Sequence, residues 1–510
     1  MNSKTWTRII ALALFAVLAI SVRLAAQDNE PQSQPKHHHY QLIDLASFGG
    51  PETNFVTQGV AAQFLNNRGV VTGSADTSTP DPDTPNCLNP DCFISHAFKW
   101  QNGSLTDLGA LPGVNSSFGS WITENGLVAG YSGNGEIDPL TGFPETRAVF
   151  WNHGRIADLG TFGGNESLAN AVNSRGQVVG LSTNTVPDPF DFYGFGTQMH
   201  AFLWQSGVMR DLGTIGDGPD SIAYWVNESG QVAGFSYISS TPNPLTGVPP
   251  QHPFLWEKGT MHDLGTIGGT QVFQLNGLNE RGQVIGSMTL ADEDSQHVHP
   301  FLWDGKTLLN LGTLGGDFGE ANWLNDAGEV VGHADTSIAC PNGGGTIGHA
   351  FLWKNGAMQD LGTVPGIDPS TGLSAANSIN SKTQIVGISN SCDNSVVDAF
   401  LWEKGSMVDL NTLVPPSSSL QLFNAVYISD RGEITGFGIL PNGNVHTFLL
   451  IPCDESQGDS KCDEGGSRAA IAGGETNHRP NVEMPESVRT MLRQRSGARY
   501  RIPSLQSPGR

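Results

Sequence analysis

The stretch His200–Gly216 reads HAFLWQSGVMRDLGTIG, and it decides the fold because copies of it recur along the chain. The Trp that closes its AFLW run has counterparts at Trp100, Trp151, Trp256, Trp303, Trp353 and Trp402, a period of 47 to 53 residues. Periods of that size belong to propellers or solenoids, in which each repeat is one supersecondary unit that buries its apolar face only against its neighbours.

Each unit divides into four short strand-like pieces. The first is a small apolar run ending in Asn, such as Ala171-Val172-Asn173, and the second, Gln177–Gly180, follows after Asn-x-x-Gly. That spacing between β-branched runs predicts a tight hairpin, with Gly supplying the positive φ that closes the turn. The seventh unit carries Thr383 where the others have Gly, so its hairpin is expected to be strained. The third piece, His-Ala-Phe-Leu-Trp, is a continuous apolar run, as expected of a strand covered on both faces. A second tight turn leads to the fourth and more polar piece, Val208–Leu212.

Four hairpin-linked strands per unit predict an all-β propeller blade. The ends of the repeat favour closure over an open solenoid, which needs caps. The last unit stops at a third strand, 446–451, and the first recognisable element, 40–45, is a fourth strand with no third before it. Pairing the two hides both sheet edges and gives eight blades. Seven is the alternative if the divergent unit around Ile122–Gly130, with Thr123 in place of Asn, has decayed. Both tight hairpins of a blade fall on one face. The opposite face receives the long and variable connections, and binding residues concentrate on long loops held by a rigid scaffold.

Outside the repeats, Lys4 and Arg8 precede an apolar run, Ile9–Val22, and the small residues Ala25-Ala26. This predicts a secretory signal peptide over 1–26 and export to the periplasm, the cell surface or the extracellular space. The apolar run is short for a bilayer span, and no later segment is apolar enough to be one. Residues 27–39 read as a flexible leader, 40–452 as the propeller, and 453–510 as a mostly disordered tail with a basic end at Arg489, Arg493, Arg495, Arg499 and Arg501. A net charge of −23 argues against a nucleic-acid surface, which needs clustered Lys and Arg. The six Cys are an even number, and in an exported chain they read as disulfide candidates: Cys87, Cys92, Cys340, Cys392, Cys453 and Cys462. Cys340 and Cys392 occupy equivalent loops of consecutive repeats and could staple neighbours together.

His recurs at the start of the third strand (His96, His200, His252, His299, His349, His446), and Asp in the fourth (Asp44, Asp107, Asp158, Asp211, Asp263, Asp360, Asp409), with Asn310 standing in once. A catalytic or metal set occurs once in a molecule, whereas repetition in every blade marks structural positions held by hydrogen bonds. Whether His200 meets Asp211 depends on hairpin register. A two-residue loop puts them opposite one another, and a Gly bulge at Gly207 moves Asp211 to the other face. The acidic stretches Asp76–Asp83 and Asp292-Glu293-Asp294 carry the oxygen ligands calcium takes but lack the spacing of a helix–loop–helix site. No cofactor is expected, with calcium the one alternative, and catalytic motifs such as GxSxG, HExxH and a phosphate loop are absent.

The units at 200–234, 252–286, 299–332 and 349–387 resemble the HAF family of extracellular repeats, through HAFLWxxGxMxDLGTxGG followed by NxxGQVVG. The resemblance covers about residues 40–452 and implies an exported bacterial repeat protein. It supplies no catalytic residues to carry onto this chain. Arg147 and Asp398, both in the His position, depart from the family pattern. The function expected is that of a monomeric binding or scaffold module for a glycan, peptide or surface partner, acting through the long-loop face. The alternative is a propeller enzyme, such as a carbohydrate lyase, with its site in the central channel.

Overall fold

A computed structural model describes residues 37–54, 62–89, 91–292, 297–341 and 345–453. The signal segment, most of the leader, Glu293, Asp294, Cys462 and the tail after Cys453 lie outside the described residues. The described residues from His38 onward form one unit. Among the described residues the strands make six four-stranded sheets and one eight-stranded sheet. Five of the four-stranded sheets are antiparallel meanders of consecutive strands, as in Ser167–Val172, Val178–Pro187, Thr197–Gln205 and Val208–Asp211. The eight-stranded sheet is two such meanders, 272–310 and 315–360, joined by a parallel bridge between Val298 and Phe318. Successive meanders pack face to face, which is the blade arrangement of a β-propeller.

Local sequence explains each blade. In the first turn Gly176 has φ 72°, and Thr383, in the Gly position of its unit, is held at φ 59°. A side chain in that left-handed region costs about 1 kcal/mol, the strain expected there. In the second turn both central residues have positive φ, Ser206 at 52° and Gly207 at 87°, the type I′ geometry that matches strand twist. This loop sets Gln205 against Val208 and Phe202 against Asp211. His200 and Asp211 are therefore diagonal neighbours on one side of the sheet, not directly opposed. The Gly that ends Val-Val-Gly answers to packing. A Cβ on Gly180 would lie 1.8 Å from the Leu168 carbonyl oxygen and 2.9 Å from the Phe202 ring. Phe202 and its counterparts Phe98, Phe254, Phe301, Phe351 and Phe400 are among the largest fully buried side chains.

The Asn of Asn-x-x-Gly ties each blade to the next. Asn173 Oδ1 accepts from the backbone N–H groups of Arg175 and Gln177, both at 3.1 Å, which fixes its own turn. Its Nδ2 donates to Gln177 Oε1 at 2.8 Å and to the Asn227 carbonyl, in the next blade, at 3.0 Å. The cross-blade bond recurs from Asn66 to Thr123, Asn227 to Asn279, Asn279 to Asn325, Asn325 to Asn380 and Asn380 to Ser429. Where Thr123 replaces Asn, Asn125 takes over and donates to the Ser174 carbonyl at 2.9 Å. Ser429 has no amide to give, and there the Asp430 N–H donates to Asn67 Oδ1 at 2.7 Å. The circuit thus returns from the last hairpin to the first.

The two ends of the repeat region meet as one sheet. Strand Tyr40–Asp44 pairs antiparallel with Val445–Pro452, setting Tyr40 opposite Pro452 and Asp44 opposite Phe448. Cys453 N–H donates to the His39 carbonyl at 2.9 Å and Leu45 N–H to the Thr447 carbonyl at 3.0 Å, extending the ladder at both ends. Cys340–Cys392 links the loops of consecutive blades and Cys87–Cys92 closes a single loop. Cys453 is also disulfide-bonded.

Replacing Asn279 with Ala leaves the Arg281 and Gln283 N–H groups and one link to Asn325 without their partner. The expected loss is about 1–3 kcal/mol of unfolding free energy in urea titrations. An unchanged midpoint and slope would show that the circuit carries no stability.

Candidate functional site: the long-loop face

The repeated His and Asp residues do meet, and they meet as fasteners. His96 Nδ1 lies 2.9 Å from Asp107 Oδ2, and His200, His252 and His446 lie 2.8 Å from Asp211, Asp263 and Asp44. His349 lies 3.0 Å from Asp360 and His299 3.0 Å from Asn310. The second carboxylate oxygen is occupied as well. Asp107 Oδ1 accepts from Gly109 N–H at 2.7 Å and Asp211 Oδ1 from Gly213 N–H at 2.7 Å, closing the loop that leads to the next blade. Burial works against ionisation of Asp44, Asp107, Asp211, Asp263 and Asp360, but the His and backbone hydrogen bonds outweigh it and hold these carboxyls below the usual range. Their stabilisation is present above the ordinary carboxylate pKa and is lost as pH falls through the lowered values. Exposed pairs of this kind are worth about 0–1 kcal/mol each. Asp158 keeps the turn contact, to Gly160 N–H at 2.8 Å, without a His partner, because Arg147 stands in that position. Arg147 Nη2 lies 3.1 Å from Glu145 Oε2 instead. Asp409 caps the turn Leu410–Thr412, and Asp398, in the His position of that blade, is buried.

The axis of the molecule carries a group that sequence reasoning missed. Trp121 meets Trp225 edge to face with ring centroids 5.0 Å apart, Trp225 meets Trp323 at 5.2 Å, and Trp323 meets Tyr427 at 5.1 Å. These four sit at the same first-strand position of every second blade. The blades between them have Ala171, Gly277 and Ser378 there, small enough to let the rings touch across them. At this level aromatic rings fill the middle. The signal that could have found them is the recurrence of Trp at alternate repeats.

Buried carboxyls form a second non-repeated group, on the side of the long loops. Asp220, at 1% exposure, accepts Met199 N–H at 2.9 Å. Burial, with the nearby Asp188 and Asp191, pushes its carboxyl up to about 9. Burial likewise raises Glu166, which accepts from Thr146 N–H of the preceding blade, to about 7. Asp76 is raised to about 8 by burial and Asp91. Perturbed carboxyls are often catalytic; of these three, Glu166 and Asp76 spend oxygens on backbone N–H and side-chain groups beside them, whereas Asp220 takes Met199 N–H on Oδ1 and its buried Oδ2 makes no hydrogen bond among the described residues. Glu166 and Asp220 bond across to the preceding blade, whereas Asp76 bonds within its own. Among the described residues, no cluster of three or more His, Cys, Asp or Glu side chains is arranged to hold a metal ion.

What the long-loop face presents to solvent is apolar and acidic. The second-to-third connections span 81–92, 188–196 and 238–250 in three of the blades and shrink to 440–444 in the last. Of the ten large apolar side chains exposed among the described residues, eight stand on this face: Val114, Ile137, Leu140, Phe143, Val186, Leu245, Ile338 and Val396. Two of them are held out by the same device. In Asp138-Pro139-Leu140-Thr141-Gly142, Asp138 Oδ1 accepts Leu140 N–H at 2.8 Å and its carbonyl accepts Gly142 N–H at 2.8 Å. In Asn243-Pro244-Leu245-Thr246-Gly247 the matching distances are 2.9 and 2.8 Å. These built turns leave Leu140 65% and Leu245 74% exposed. Glu136, Asp217, Asp317, Asp368 and Asp393 are exposed on the same face. Arg147 is the single Lys or Arg on this face among the described residues. Others, such as Arg68, Arg175, Lys258, Arg281, Lys382, Lys404 and Arg431, lie at the tight hairpins opposite.

The buried carboxyls give a pH test. A carboxyl raised in the folded state keeps its stabilising proton only at low pH, and its contribution declines as pH rises from the ordinary carboxylate range toward the raised value. Asp220→Asn keeps an acceptor for Met199 N–H and removes the proton requirement. It is expected to stabilise the protein by on the order of 1 kcal/mol or more at pH 8 relative to pH 5, read from thermal melts at both pH values. A stability difference independent of pH contradicts the raised carboxyl.

No family model and no curated protein matches the sequence. Solved structures with similar folds include the β-propeller domain of the Trilobed protease from Pyrococcus furiosus, at 9% identity over 73% of this chain and 98% of that one, with a TM-score of 0.39. The Pyrococcus horikoshii acylaminoacyl peptidase is 10% identical over 69% of this chain and 53% of its own, TM-score 0.37, so the chain spans about half of that enzyme. A PL25 ulvan lyase, of a polysaccharide lyase family, is 11% identical over 66% of this chain and 91% of that one, TM-score 0.32. At these identities and scores the likeness carries no argument about activity.

Proposed function

We propose that this chain is an exported HAF-type β-propeller of eight blades, closed by its two terminal strands, that binds an extracellular partner through its long-loop face. The eight-blade count is supported by the hairpin circuit, which takes up one link per meander before returning from Asp430 to Asn67. Export is supported by the disulfides Cys87–Cys92 and Cys340–Cys392, which persist in oxidising compartments. No helix among the described residues is long and apolar enough to cross a membrane.

One observation carries the binding reading. Leu140 and Leu245 are exposed on hydrogen-bonded turns that hold them outward. Exposed apolar groups on a rigid, polar-rimmed surface mark interaction sites. The exposed acids of this face, on which Arg147 is the one Lys or Arg among the described residues, favour a partner bearing cationic and apolar groups. A peptide segment or a surface protein fits this description, and an acidic glycan does not.

Protein lacking residues 1–26, screened on peptide and glycan arrays, tests this reading. Cationic, apolar peptides should bind, more weakly at high salt. Leu140→Asp and Leu245→Asp should each weaken binding about tenfold or more, the usual effect of removing a buried apolar anchor. Binding confined to uronate or sulfated glycans, or binding that both variants leave intact, would remove the long-loop face from the function.

A further inference from the structure

The loop 188–196 crosses from its own blade to the next and seats aromatic rings there. Phe192 meets Phe235 with ring centroids 5.2 Å apart, and the Tyr193 and Tyr224 hydroxyls lie 3.4 Å apart. Tyr237, fully buried in that next blade, donates its hydroxyl to the Phe190 carbonyl at 3.0 Å. At the base of the loop stand Asp188, at 5% exposure, and Asp220, at 1%. Asp188 Oδ1 accepts Phe190 N–H at 2.9 Å, and Asp220 Oδ1 accepts Met199 N–H at 2.9 Å. The two carboxyls face each other within hydrogen-bonding reach, and the Oδ2 atom of each is buried with no donor among the described residues.

The flanking blades make the same contact with an amide. Asp138 and Asn243 hold the place of Asp188 in their loops, where Asn165 Nδ2 donates to Asp138 Oδ1 at 3.1 Å and Asn243 Nδ2 donates to Thr270 Oγ1 at 2.9 Å. Asn165 and Thr270 each precede a residue, Glu166 or Gln271, whose carbonyl accepts from the second strand of the following blade, as the Asp220 carbonyl does. Their counterpart before Asp220 is Pro219, which has no polar side chain to offer. The contact at Asp188 therefore has acceptors on both sides and no amide proton between them. Two carboxylates buried side by side cannot both stay ionised without a large desolvation and repulsion cost, and one proton between them removes most of it.

We propose that Asp188 and Asp220 share one proton, and that this proton latches the aromatic loop 188–196 onto the following blade. Asp220 is the donor. Burial, with Asp188 and Asp191 beside it, pushes its carboxyl up to about 9. Burial raises Asp188 as well, and the hydrogen bond from Asp220 works against that rise. The other titratable groups facing the pair are Asp191, from the loop, and Tyr237, from the second strand of the next blade. Asp191 spends its oxygens on the loop backbone, accepting from the Tyr193, Phe195 and Gly196 N–H groups at 3.1, 2.8 and 2.8 Å. No Lys, Arg or His among the described residues acts on the pair to offset a second negative charge. An acid raised in the folded state stabilises it while protonated, and that contribution is lost as pH rises through the raised value. The latch is thus closed at neutral pH and opens in alkaline solution, where two carboxylates repel across the blade boundary. Gly196 ends the loop against Leu140, since a Cβ there would lie 3.7 Å from Leu140 Cδ1. Release therefore loosens the surface beside one of the two outward leucines.

The test uses the whole chain after residue 26 and follows amide hydrogen exchange, corrected for the intrinsic dependence of exchange on pH. Between pH 7 and pH 10 the protection of residues 190–196 should fall about tenfold or more. The loop 243–247, whose link through Asn243 needs no titrating proton, should keep its protection and so excludes general unfolding. Asp188→Asn and Asp220→Asn each put an N–H donor where the shared proton lies. Both variants should hold the loop closed at pH 7 and at pH 10, which a merely destabilising substitution would not do. Protection of 190–196 that does not change with pH in the unmutated chain overturns the proposal. So does an open loop at pH 7 in either Asn variant, together with opening of the unmutated chain by a chelator, since a cation would then bridge the two carboxylates in place of the proton.

Discussion

Everything in this molecule depends on a side-chain amide in a tight turn. An Asn at the end of the first strand must accept two N–H groups to close its own hairpin, and it still has two protons to donate. One goes to the Gln or Glu that starts the second strand, and the other to the carbonyl of the equivalent turn in the next blade. Neither Asp, which lacks the donors, nor Ser, which is too short, could fill all four roles. Where the sequence departs from Asn, the departures are compensated locally. Asn125 donates across the gap left by Thr123, and the Asp430 backbone does so beside Ser429.

Because that circuit and the terminal strand pairing fix the blades, the opposite face is free to vary. Its loops change length and composition from blade to blade, yet they spring from strands held in nearly identical registers. The recurrent Asx-Pro turns use short-range hydrogen bonds to hold a side chain outward. Lys and Arg gather at the hairpins while most of the exposed large apolar groups stand on the long-loop face, so the two faces present different chemistry.

Much of this was legible in the residues. The strand pieces, the two turn types, the pairing of 40–44 with 445–452 and the Cys340–Cys392 staple follow from spacing, since hairpins and repeats are local and periodic. The contact between His200 and Asp211 was open, because a one-residue change in the loop reverses the face of every following side chain. The type I′ loop at Ser206-Gly207 resolved it, and it made the contact diagonal. The edge-to-face stack of Trp121, Trp225, Trp323 and Tyr427 was not legible from one repeat, because its members belong to alternate blades. The buried acids were not legible either. Glu166 and Asp220 read as ordinary loop charge until packing takes away their water.

The sequence by itself determined what is repeated: strand, turn, buried Phe and close-packed Gly, each set by interactions within one unit of about fifty residues. Tertiary structure alone decided what happens between units. The cross-blade use of Asn173, the aromatic stack over Ala171 and Gly277 and the raised carboxyl of Asp220 all require residues from different blades to be brought together. The physical reason is that burial and hydrogen-bond competition depend on which neighbour arrives, and a one-dimensional period does not specify that neighbour.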